Sequence, residues 1–214
     1  MRLLDLYSGT GSVAKVAREL GWDITTLDIS PKHGPDLCVD VLTFDYTVWP
    51  KGSYDMVFAS VPCESYSQAN RFRCPEEGNK VAYRTLEILQ HLDPKWICIE
   101  NPNSSLLWRT GIFNFLPLKK ASYCMYSDWG YRKNTRFASN IPFSCQLCNK
   151  NCGNMVEHEG HLYHKEVAKL GYSTNTPEGI QKSNHRRDDL HRIPPDLVRL
   201  ILGAAMGGGV GFSR

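Results

Sequence analysis

Five short apolar runs recur along the first half of the chain, and each ends beside a side chain that can do chemistry. Leu3-Leu4-Asp5-Leu6, Asp23-Ile24-Thr25-Thr26-Leu27-Asp28, Asp36-Leu37-Cys38-Val39-Asp40-Val41, Asp55-Met56-Val57-Phe58-Ala59 and Trp96-Ile97-Cys98-Ile99-Glu100 are rich in aliphatic and β-branched residues and read as strands. Between them, Val13, Val16, Ala17 and Leu20 recur at helical spacing up to Gly21, and Val81, Leu86, Ile88 and Leu89 mark a second helix. Strands alternating with helices predict an α/β fold, a doubly wound and mostly parallel sheet with ligands at the carboxyl ends of its strands. Asp5, Asp28, Asp40, Cys63 and Glu100 fall near such ends.

A length of 214 residues supports one main core with a small appendage. No run approaches the roughly 20 apolar residues needed to span a bilayer, and the first residues enter a strand without a signal-peptide pattern. The expectation is a cytoplasmic protein with no membrane partner. Eight cysteines scattered through a chain of this size read as reduced thiols. The net charge of +3 hides an asymmetry: residues 1–110 carry 11 Lys/Arg against 14 Asp/Glu, and residues 111–214 carry 14 against 8. A basic second half suits a polyanionic partner.

Residues 1–138 therefore read as a cofactor-binding and catalytic core. From 139 to 185 the apolar periodicity dissolves into Cys, Asn, Gly, His and Lys, which reads as a short insertion. In 186–214, Ile193-Pro194-Pro195 signals a helix start, Leu197, Val198, Leu200 and Ile201 form its apolar face, and Gly207-Gly208-Gly209 opens a flexible tail.

Cys63 comes after the fourth strand on a loop marked by Pro62, where a thiol is presented as a nucleophile would be. Ser8-Gly9-Thr10-Gly11-Ser12 places glycines at the first strand-to-helix turn, where a ligand can approach the backbone and meet the helix amides. The third Gly of a dinucleotide fingerprint is missing. Asp28, ending the second strand about 20 residues on, can hydrogen-bond a ribose diol, which suits an adenosine-containing cofactor held without a pyrophosphate.

At these positions the chain resembles the S-adenosylmethionine-dependent cytosine-C5 DNA methyltransferases, particularly their small phage-type members. Asp5-Leu6-Tyr7-Ser8-Gly9-Thr10-Gly11 is similar to the family's Asp-Leu-Phe-x-Gly-x-Gly loop, Pro62-Cys63-Glu64-Ser65-Tyr66-Ser67 to its Pro-Cys-Gln-x-Phe-Ser loop, and Glu100-Asn101-Pro102 stands where the family has Glu-Asn-Val. The resemblance implies a Rossmann-like methyltransferase fold, S-adenosylmethionine as cofactor, and double-stranded DNA as partner, with the target cytosine flipped out; the oligomeric state is left open, with a monomer as the expectation. It implies Cys63 as the thiolate that adds to carbon 6 of cytosine, Glu100 as the acid that protonates the ring, and Arg136 as a third catalytic residue. Asp5, Tyr7, Ser8, Gly9, Thr10, Gly11, Asp28, Ile29, Asp40, Val41 and Pro62 would hold the cofactor. Ser67, Asn101, Arg132, Lys133, Arg186 and Arg187 would contact DNA.

The chain departs from the family in two places. Arg132, Asn134 and Arg136 occupy a Gln-x-Arg-x-Arg motif of which only Arg136 keeps its type, and Glu64 replaces a Gln beside the nucleophile. A carboxylate there raises the thiol's pKa unless a cation such as Arg136 neutralises it. Two alternatives stay open: the same chemistry on RNA, and a catalytically silent DNA-binding or cofactor-sensing relative.

Cys145, Cys148 and Cys152, with His158, His161 and His164 beyond them, offer soft donors suited to structural zinc, with no fourth ligand singled out. The resemblance places the family's target-recognition region here, where it is normally far longer, so either zinc staples a miniature recognition element or recognition is minimal and disordered without DNA.

Overall fold

The computed structural model describes residues 1–174 and 181–207. The expected tail from Gly208 onward, and 175–180 within the insertion, lie outside the described residues.

Seven strands form the central sheet: β1 (Arg2–Leu6), β2 (Asp23–Asp28), β3 (Leu37–Cys38), β4 (Met56–Ser60), β5 (Trp96–Pro102), β6 (Leu118–Ser122) and β7 (Asn134–Ser139). Their spatial order is β3-β2-β1-β4-β5-β7-β6, with β3 through β5 parallel and β7 antiparallel to both neighbours. This is the mostly parallel, doubly wound sheet of a Rossmann-like methyltransferase fold. Its order reverses between β1 and β4, so the carboxyl ends of these two strands open the crevice where such sheets take ligands.

The central strands are apolar on both faces because both are covered. Leu3, Met56, Phe58 and Cys98 point into one cluster with helix α1 (Ser12–Glu19) and helix α4 (Pro195–Ala205). Leu4, Leu6, Val57, Ala59 and Ile99 point into the opposite cluster, under α2 (Pro75–Leu92). The period of two along each strand thus feeds two cores from one sheet.

The third run is the one strand that fell short. Only Leu37–Cys38 pairs with β2, because Asp36 spends its carboxylate on the Thr26 N–H (2.8 Å) and hydroxyl (2.7 Å), and Asp40 accepts from the Leu42 N–H (3.0 Å) to begin a turn.

Beyond Ser139 the chain is more ordered than its composition suggests. β8 (Met155–His158) and β9 (His161–His164) form a hairpin, and β10 (Gly171–Thr174) pairs with β11 (Lys182–His185). Glu159 and Gly160 both take positive φ, 49° and 75°, as a two-residue hairpin turn of this hand requires. Phe143, Cys148 and Cys152 are buried in the same cluster as α4, so this segment shares the main core. A five-residue helix α3 (Arg187–His191) leads into α4, which packs against α1. Its Pro-marked start is the one read from the sequence. Among the described residues no helix is long and apolar enough to cross a membrane.

Candidate active site

The carboxyl ends of β1, β2, β4 and β5 converge on a cavity of about 450 Å³. Its floor is the glycine turn after β1. Tyr7, Gly9 and Gly11 there have φ of 61°, 47° and 71°, and Gly11 is the N-cap of α1. Left-handed backbone suits the glycines but costs a tyrosine on the order of 1 kcal/mol or more. Tyr7 is held in place because its hydroxyl reaches Thr85 Oγ1 on α2 at 2.8 Å. Asp28 closes the turn: Oδ2 accepts from the Gly9 N–H and Oδ1 from the Ser30 N–H, both at 2.8 Å.

Asp5 is the most telling residue of this floor. It is 1% exposed, lines the cavity, and neither carboxylate oxygen has a hydrogen-bond partner among the described residues. Burial, and then the nearby Asp28 charge, push its pKa well above the usual carboxylate range. A buried acid without partners is costly unless a ligand completes it. A cationic group is the natural complement, and S-adenosylmethionine carries a sulfonium and an ammonium beside its ribose. The residues present therefore fit that cofactor.

The opposite wall carries Cys63 and Glu100. β4 ends at Ser60, and the loop through Pro62 brings Cys63 to the cavity at the start of a 3-10 turn (Glu64–Tyr66). Tyr66 anchors this turn, fully buried, with its hydroxyl donating to Asn79 Oδ1 of α2 at 2.9 Å. Burial raises the Cys63 pKa most; the negative charge of Glu100 raises it further, Lys133 opposes, and Glu64 adds a smaller upward push. Glu100, 7% exposed, lines the same cavity. Its Oε1 accepts from the Thr135 hydroxyl at 2.5 Å and from the Tyr123 hydroxyl at 3.1 Å.

The C-terminal segment forms the rim. Arg187 is ion-paired with Glu64, and Asp188 Oδ2 lies 2.6 Å from Lys32 Nζ and 3.4 Å from His33 Nε2. Helix α3 thus bridges the Cys63 loop and the loop after β2. Lys133 Nζ donates to the Leu190 carbonyl at 2.6 Å and sits 5.0 Å from the centre of the Tyr123 ring.

The sequence pattern described as C-5 cytosine-specific DNA methylase matches residues 30–107, the stretch that contains Cys63 and Glu100. Over 224 residues the chain is 31% identical to the probable DNA (cytosine-5)-methyltransferase of Frog virus 3 (isolate Goorha), an alignment covering 94% of this chain and 99% of that one. The chain belongs to the C-5 cytosine-specific DNA methylase family. Among solved structures it is similar to the S. pombe Dnmt2 methyltransferase (TM-score 0.44, 15% identity, 65% of this chain and 48% of that one). The Entamoeba histolytica methyltransferase EhMeth gives a TM-score of 0.48 at 14% identity, covering 69% of this chain and 55% of that one. The chain spans about half the length of these two solved structures.

Of the residues singled out in sequence, Asp5, Tyr7, Ser8, Gly9, Thr10, Asp28, Ile29, Pro62, Cys63, Glu100, Lys133 and Arg187 line this C-5 methylase's cavity. Gly11 serves as helix cap, and Asp40 and Val41 lie outside the lining. Asn101, Arg136, Ser67, Arg132 and Arg186 also lie outside it. Asn101 is fully buried and donates to the Val61 carbonyl at 2.5 Å, so it shapes the Cys63 loop from behind. Arg136 does not neutralise Glu64: its Nε donates to Asn103 Oδ1 at 2.7 Å. The reason is strand alternation, which turns Thr135 toward Glu100 and its neighbour Arg136 away. Arg187, 123 residues from Glu64 in sequence, is the cation that meets it.

The metal expectation needs correction. Cys145 is not part of the donor cluster, which is Cys124, Cys148, Cys152 and His164, all buried. Cys145 instead lies near Tyr126 and Lys119. Cys124 gives no signal in sequence because it stands alone in the apolar run Tyr123–Tyr126, with no spacing relation to the other thiols. Tyr123 and Thr135, which hold Glu100, likewise carry no sequence signal beyond their residue type.

Proposed function

We propose that this C-5 methylase transfers a methyl group from S-adenosylmethionine to carbon 5 of a cytosine in DNA, with Cys63 as nucleophile and Glu100 as acid. The observation that carries this reading is that thiol, glutamate and glycine turn open onto one cavity although they end three different strands.

When bound, S-adenosylmethionine supplies an electrophilic methyl group. The glycine turn and Asp28 would hold its ribose, and Asp5 would face its positive charge. Carbon 5 of cytosine is a weak nucleophile until a thiolate adds to carbon 6, and Cys63 is placed for that addition. Because Oε1 of Glu100 is committed to Tyr123 and Thr135, Oε2 is the oxygen available to the base. Protonating the ring at N3 as the thiolate adds is worth about 10²- to 10⁴-fold. Lys133 lowers the cost of the thiolate.

A stacked cytosine cannot reach Cys63, so the nucleotide must swing out of the duplex, and segment 139–185 with the basic second half would hold the backbone around it. Zinc, where bound, belongs to the Cys/His cluster; none of its donors lines the cavity, so its contribution is structural.

Trapping tests the reading. A duplex containing 5-fluorocytosine, incubated with protein and S-adenosylmethionine, should give a covalent adduct that resists denaturation, because fluorine blocks release after methyl transfer. Cys63→Ser should form no adduct while still binding the duplex. An adduct with structured RNA but not with duplex DNA, or none with either, overturns it.

A further inference from the structure

We propose that Cys124, Cys148, Cys152 and His164 bind one zinc ion in a closed tetrahedral site, and that this site positions the glutamate of the active site through the adjacent Tyr123. The second half of the proposal rests on the methyltransferase reading; the first does not.

Four donors from three separate stretches meet in one place: Cys124 from the 3-10 turn Tyr123–Met125, Cys148 and Cys152 from the loop after β7, and His164 from the end of β9. Their ligand atoms all lie within 4.8 Å of one another. His164 Nε2 is 3.5 Å from Cys148 Sγ and 3.4 Å from Cys152 Sγ. A tetrahedral zinc with bonds of about 2.0 to 2.3 Å needs donor separations of about 3.3 to 3.8 Å along its edges, so these spacings suit an ion at the centre. Three thiolates and an imidazole give zinc a net charge of −1, and the three thiol protons leave to solvent on binding.

The link to the active site runs through three consecutive residues. The Ser122 N–H donates to the Gln146 carbonyl at 3.0 Å, and the Ser122 hydroxyl accepts from the Cys148 N–H at 3.0 Å. Cys124 supplies a metal donor, and buried Asn154 holds its carbonyl at 3.1 Å. Tyr123, between them, donates its hydroxyl to Glu100 Oε1. An ion that fixes residues 122 and 124 to the loop 146–152 leaves the Tyr123 ring one orientation, and with it the carboxyl of Glu100. Groups one shell away that orient a reacting residue typically matter by about 10- to 100-fold.

Elemental analysis of the full chain should find one zinc per molecule, and cobalt loading should give the visible thiolate-to-metal and ligand-field bands of a tetrahedral site. Cys124→Ser should lose both signals and Cys145→Ser should keep them. If Cys124→Ser is insoluble, mercurial titration of the wild-type thiols should release the metal in step with three of them. Absence of zinc and of cobalt bands in wild type overturns the site, as does their survival in Cys124→Ser.

For the link, Tyr123→Phe should retain metal and S-adenosylmethionine affinity, measured by calorimetry, yet lose about 10-fold or more in kcat for methylation. Unchanged kcat in Tyr123→Phe overturns the link, as does parallel loss of cofactor affinity, which would make Tyr123 a general support of the fold. A wild type that binds zinc but methylates nothing counts against the methyltransferase reading and leaves the metal site standing.

Discussion

At Cys63 a thiol faces two carboxylates and one ammonium, and their balance sets the pH at which it becomes nucleophilic. Burial raises its pKa first, Glu100 and Glu64 raise it further, and Lys133 alone lowers it through charge. The thiolate fraction therefore grows as pH rises through that elevated pKa, and kcat/KM should climb on the alkaline side of neutrality. Lys133→Met removes the one opposing charge and should move the rise to higher pH. Glu64→Gln should move it lower, both by deleting a negative charge and by freeing Arg187. Each unit of displacement changes the rate at fixed pH about tenfold. Profiles that coincide in wild type and both variants would remove charge balance as the control of Cys63. Glu64 was legible in sequence as a disturbance, but its remedy was not. The residue that meets it is remote in the chain, and ion pairs between distant segments leave no periodic trace.

The Cys63 loop behaves as an element only because α2 holds it. A Cβ added at Gly78 would stand 2.7 Å from Tyr66 Cζ and 2.9 Å from Ser65 Cβ, so this helical glycine is there for space. Gly78→Ala should cost about 1 to 3 kcal/mol, less any gain in helix propensity, and should displace the Tyr66 ring. Calorimetry should show a lower Tm, and the 5-fluorocytosine adduct should form more slowly; an unchanged Tm and trapping rate would mean the loop does not lean on α2. Among the elements, β1, β2, β4, β5, α1, α2 and α4 are written in apolar periodicity and turn residues. β3 is shorter than its pattern because Asp36 and Asp40 took their hydrogen bonds locally. The hairpin β8–β9 was not visible, since its strands carry mostly polar and aromatic residues, and turn chemistry at Glu159 and Gly160 is its only mark.

On the scale of the whole molecule, α4 closes one face of the sheet. Leu197, Val198, Ile201 and Leu202 are all fully buried against α1 and the strands, and the Ile193 N–H donates to Ser12 Oγ at 3.1 Å beside the glycine turn. The segment entering this helix thus braces the glycine turn after β1. Leu197→Ala should cost about 2 to 5 kcal/mol in urea unfolding, with S-adenosylmethionine raising the midpoint of wild type and variant alike. A cost under about 1 kcal/mol would show that α4 is not part of the folded core. The family, the fold class and the strand-end positions of Cys63 and Glu100 were readable from the chain because strand ends and glycine turns are local: a strand announces itself within a few residues, and the loop after it sits at its carboxyl end. The Arg187 partner of Glu64, the Tyr123 and Thr135 support of Glu100, and the place of Cys124 in the Cys/His cluster were decided by tertiary structure alone. Each joins residues that only the order of strands and the packing of the chain beyond β7 bring together. Local backbone preference is written in sequence neighbours; the pairing of side chains across a core is written in the fold.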